Sequence, residues 1–98
     1  ITTKKGQKRI EAEKRQAKYS ATKSLVSEIA LLEKKIEVLE EKKGNLENTL
    51  AKPETYNNSK KAFSLNKEFK IISEELSGVM SKWENLSEEL INIESQFE

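Results

Sequence analysis

The chain has 98 residues, of which 36% are charged and 35% apolar, and its formal net charge is +1. It contains no Cys and no His, which excludes disulfides, thiol chemistry and zinc sites built on those ligands. Three Gly and one Pro, against many Lys, Glu, Leu, Ser and Ala, leave long helices or disorder as the open classes, and periodicity must decide between them.

The first segment is basic. Residues 1–23 hold eight Lys/Arg against two acids, whereas residues 24–98 hold ten against fifteen. A basic arm on an acidic body is a charge layout that suits contact with nucleic acid. Ile1 to Arg9 is positively charged, but no apolar stretch follows, so it does not read as a signal peptide. No apolar run approaches the roughly 20 residues needed to span a bilayer. The expected compartment is the cytoplasm, no membrane partner is expected, and the missing initiator Met points to a piece of a longer protein.

Residues 1–20 carry no continuous apolar stripe, since Ile10, Ala12, Ala17 and Tyr19 are scattered. Helix formers still dominate, and Glu11 can support Arg15 at i+4. Helix is expected from about Lys4, fraying at its start and weakened by Gly6. On a helical wheel Lys4, Lys8, Lys14, Arg15 and Lys18 fall in one stripe about a third of the circumference wide, diluted by Glu11. With Lys5 and Arg9 they are the first candidate nucleic-acid contacts, because phosphate binding needs clustered cations that displace counterions. The plain alternative is a solvated helix joining the hairpin to whatever precedes it.

From Leu25 the pattern becomes regular. Leu25, Ile29, Leu32, Ile36, Leu39, Leu46 and Leu50 alternate spacings of four and three, with Lys43 as the one polar member. The break comes at Ala51 to Ser59, where Pro53 disfavours helix at Lys52 and Asn57, Asn58 and Ser59 favour turn and cap conformations. Lys42, Lys43, Lys52, Lys60 and Lys61 gather near this turn, opposed by Glu47 and Glu54. Of these, Lys52, Lys60 and Lys61 are further candidate contacts. Tyr56 can either stack on a base or ribose or pack over the last core layer, and packing is the expected outcome.

A second stripe then runs without a break through Leu65, Phe69, Ile72, Leu76, Val79, Trp83, Leu86, Leu90, Ile93 and Phe97. Two amphipathic helices joined by a short breaker should fold back on each other. The expected fold is all-α, two long helices in an antiparallel coiled-coil hairpin: helix 1 to about residue 51, a turn at 52–58 and helix 2 over 59–97. Residues 1–22 form a basic helical arm continuous with helix 1, and 23–98 form the hairpin. A turn centred near residue 57 sets Leu46 against Phe69, Leu39 against Leu76, Leu32 against Trp83 and Leu25 against Leu90. Tyr19 and Ala21 are expected to finish the core at the open end. Trp83 is expected in the core with its indole N–H turned outward to a polar partner or water.

The runs KKGQKRIEAEKRQ and LLEKKIEVLEEKKGNLENTLAKPETYNN, followed by Trp83 in SKWENLSEEL, resemble the C-terminal domain of ABC-F ATPases of the Uup-like branch. The ordered combination carries the resemblance, above all Pro53, Glu54 and Tyr56 at the turn with Trp83 on the return helix. Lys52 departs from the acid that relatives often place there, making the tip more basic. The resemblance implies a parent with two tandem ATP-binding cassettes, using ATP and Mg, and acting on ribosomes or in antibiotic resistance. Some C-terminal domains of this kind bind DNA.

The chain itself has no GxxxxGK[ST] sequence, and Gly6, Gly44 and Gly78 stand alone. Adjacent acids such as Glu40–Glu41, Glu74–Glu75 and Glu88–Glu89 point about 100° apart on a helix and do not chelate. No catalytic residue, metal site or cofactor is therefore expected in this segment. The expected partner is nucleic acid, DNA or ribosomal RNA, bound without sequence preference. The alternative is a structural spacer or protein-interaction coil that self-associates.

Overall fold

Helix continues unbroken until the chain nears Pro53, whose ring cannot donate a backbone hydrogen bond and which restrains the residue before it. The computed structural model describes residues 4–97. In it α1 spans Lys4–Leu50, a 3-10 turn spans Pro53–Asn57, and α2 spans Ser59–Ser95. The two helices form an antiparallel hairpin, an elongated rod of 82 × 15 × 15 Å. Helix 2 stops at Ser95, leaving Gln96 and Phe97 in a turn, two residues short of the expected end.

Both sequence stripes lie along the seam. Ile29, Leu39 and Leu46 of α1 and Ile72 and Leu76 of α2 are buried. Leu39, Leu46, Ile72 and Leu76 form one cluster, with Ile36, Leu65, Phe69 and Val79 packed against it. The alignment expected from the sequence sets the same residues opposite one another. Lys43 keeps its core position by placing its ammonium 5.7 Å from the centroid of the Phe69 ring, so the stem covers apolar surface while the charge meets the ring's negative face. Trp83 is half-buried, and its indole Nε1–H donates to Glu33 Oε1 across the seam at 3.2 Å. On the other edge Lys35 Nζ lies 3.5 Å from Glu75 Oε1. Both partners are about half exposed, so this pair fixes orientation more than it stabilises.

The turn closes by side-chain bonds to the carbonyls that α1 leaves without helical partners. Thr55 is buried, and its hydroxyl donates to Thr49 O at 2.6 Å. The Tyr56 hydroxyl donates to Leu50 O at 2.8 Å. Asn58 caps α2, its Oδ1 accepting from the Lys61 backbone N–H at 3.2 Å. Two expectations fail here for local reasons. Tyr56 does not pack over the last core layer: it is 57% exposed, and the smaller Thr55 takes the buried place. Tyr19 and Ala21 do not finish the core at the open end either. Tyr19 is 58% exposed because α2 has nearly run out there, and the Lys23 ammonium sits 5.7 Å from its ring centroid instead.

Gly78 is exposed in the middle of α2, and a Cβ built there meets nothing within 4 Å. Gly78→Ala is therefore expected to stabilise the hairpin by about 1 kcal/mol, the helix-propensity difference, in urea unfolding followed by circular dichroism. A loss of stability would mean that this face is covered.

Candidate nucleic-acid interface

The four-and-three spacing of the α1 seam does not stop at Leu25. Counting back through the helix, the same positions are Thr22, Lys18, Arg15, Glu11, Lys8 and Lys4. The seam thus runs the length of α1, but its chemistry changes from apolar to cationic. The change comes where α2 ends. Thr22 is half-buried, while Arg15, Lys18, Lys8 and Lys4 are exposed. Lys14 flanks this line, one residue before Arg15. The five-residue stripe seen on the wheel is therefore the uncovered continuation of the packing face, and Glu11 is its one acid. Counting apolar residues alone hid this continuity.

An uncovered seam must be polar, but nothing requires it to be basic. The arm has no buried side chain among its described residues.

The remaining arm candidates sit elsewhere on the helix. Lys5 and Arg9 lie off the seam line, and Arg9 Nε is 3.2 Å from Glu13 Oε1 in an exposed i, i+4 pair. The tip candidates Lys52, Lys60 and Lys61 are all exposed. Lys52 opens the 3-10 turn, and Lys60 and Lys61 lie in the first turn of α2. Arm and tip occupy opposite ends of the rod, some 60 Å apart by helical rise from Glu11 to Leu50, so they cannot act as one compact site. Phe63, Lys67 and Lys70 lie on the outer surface of α2 beyond the tip, off both apolar stripes, and share one face by helical spacing.

The flanks of the seam carry two shallow depressions. One, of about 380 Å³, is lined by Glu33, Ile36, Met80 and Trp83. The other is lined by Glu28, Leu31, Leu32 and Lys82. Among the described residues no group of three or more acids is placed to hold a metal ion, and no helix is long and apolar enough to cross a membrane.

The family described as ABC transporter C-terminal domain matches residues 20–88, which is more than half of the chain. No curated protein and no solved structure matches. The matched segment contains the tip and most of the paired hairpin, and it begins just past Lys18, so the cationic seam lies outside it.

Proposed function

The chain belongs to the ABC transporter C-terminal domain family, and we propose that it is the nucleic-acid-binding coiled coil of a cytoplasmic ABC-F ATPase. The observation that carries this reading is the seam of α1, which turns from apolar to cationic where α2 stops covering it. Lys4, Lys8, Arg15 and Lys18, with Lys14 beside them, present a linear array to a phosphate backbone. The contact is electrostatic and tolerant of sequence, because nothing in the array reads base edges. DNA and ribosomal RNA share the chemistry it needs.

On this reading the segment performs no chemistry. ATP and Mg belong to the cassettes of the parent, and the hairpin is a stiff lever that carries the arm. The test is binding to duplex DNA, branched DNA and ribosomes over a salt series. Affinity for at least one should fall steeply as salt rises, and salt-insensitive or absent binding to all three would end the proposal.

A second reading is self-association. It is favoured by the depression at Ile36, Met80 and Trp83, which leaves apolar seam surface beside a single helix pair. Four-helix packing would cover it. Sedimentation at several concentrations separates the two: a monomer across the range removes the second reading.

A further inference from the structure

Phe63 is the most exposed large apolar side chain of the hairpin, at 74%. A lone exposed hydrophobe needs no explanation, so its surroundings must decide whether it means anything. At 100° per residue, the face within about 60° of Phe63 holds Ser59, Lys60, Asn66, Lys67 and Lys70, and no acid until Glu74. Lys60 precedes Phe63 by three residues and Lys67 follows it by four, the spacings at which helix side chains are neighbours. Lys60, Lys67 and Lys70 are exposed, and none is ion-paired among the described residues.

Other exposed apolar residues differ. Leu31, at 70%, borders both Glu28 and Lys82. Tyr19 has Arg15 and Lys23 four residues to either side, but the Lys23 ammonium already occupies its ring face. Phe63 combines an open ring with three exposed lysines and no acid on its face between Ser59 and Lys70.

We propose that the outer face of α2 at Lys60, Phe63, Lys67 and Lys70 is a second binding site, specific for unpaired nucleotides. The ring provides a stacking platform for a base, and the lysines neutralise the phosphates to either side. From Lys60 to Lys70 the helix rises about 15 Å, enough to follow the backbone of a short unpaired run on either side of the ring. Stacking needs a base free of its own stack, so the site discriminates single-stranded segments from intact duplex by structure rather than sequence. It deepens the proposed function: the arm grips paired backbone at one end of the rod, and this face takes the unpaired strand at the other.

The test uses the full chain and three labelled probes: a plain duplex, the same duplex with a single-stranded overhang, and an oligothymidylate. Phe63→Ala should weaken binding to the last two about tenfold and leave the plain duplex within about twofold. Phe63→Tyr should retain the preference. Phe63 is too exposed for its removal to unfold the hairpin, and unchanged circular dichroism checks this. Equal affinity of wild type and Phe63→Ala for the overhang probe would overturn the site while leaving salt-sensitive duplex binding, and thus the arm, intact. Absence of binding to any probe would remove both. A change in sedimentation on Phe63→Ala would assign the ring to a second copy of the chain and also overturn the site.

Discussion

Leu76→Ala is expected to destabilise the hairpin by about 3 kcal/mol. Leu76 is 6% exposed and sits in a buried cluster with Leu39, Leu46 and Ile72. The fold is one seam wide, so no second layer can close in on the vacated volume from behind. A domain of this size has a total stability of about 5–15 kcal/mol, so such a loss is a large share of the whole. Leu31→Ala is the internal control. Leu31 is 70% exposed, and its truncation should fall within about 0.5 kcal/mol of wild type. Urea unfolding of the two variants side by side checks the register. Equal losses at Leu31 and Leu76 would mean that the helices pair along a different face.

Reversing Lys8, Arg15 and Lys18 together to Glu is expected to lower affinity for duplex DNA about a hundredfold at low salt. All three are exposed on the uncovered seam, so the substitution removes no packing. The cost to the helix is limited to the exposed i, i+4 pairing of Arg15 with Glu11, worth a few tenths of a kcal/mol. Unchanged circular dichroism with lost binding would therefore separate contact from folding. Reversal of Lys34, exposed on the paired part of α1, controls for general charge and should cost far less.

Much of the architecture is legible because it rests on rules of spacing. Two stripes of alternating fours and threes, one Pro and one Asn cap are enough to place the helices, the turn and the pairing of Leu39 with Leu76. Trp83 is only half-buried and lies outside the buried cluster, but its indole N–H does turn outward, and Glu33 accepts it at 3.2 Å. The ends of the seam were not legible in the same way. At the turn, adjacent Thr55 and Tyr56 compete for one buried place. The 3-10 backbone decides for Thr55, whose hydroxyl reaches Thr49 O at 2.6 Å, while Tyr56 remains tied to Leu50 O outside. At the open end, burial of Tyr19 depends on how far α2 reaches, and α2 stops at Ser95.

The site shows the same division. The arm's cations were visible as composition and as a wheel stripe, but their place on the seam was hidden because an apolar count stops at Leu25. Heptad position continues through charged residues even when hydrophobicity does not. Once the partner helix ends, the same positions acquire a different role, and only the end of α2 shows where that happens.

The salt dependence of duplex binding tests the central claim most directly. Each phosphate contact adds about 0.9 to the slope of log K against log salt. The wild-type chain should show a steep negative slope, and the variant with Lys8, Arg15 and Lys18 reversed should lose about three units of it. Identical slopes for the two proteins would show that the cationic seam touches no phosphate, and the account would fail there.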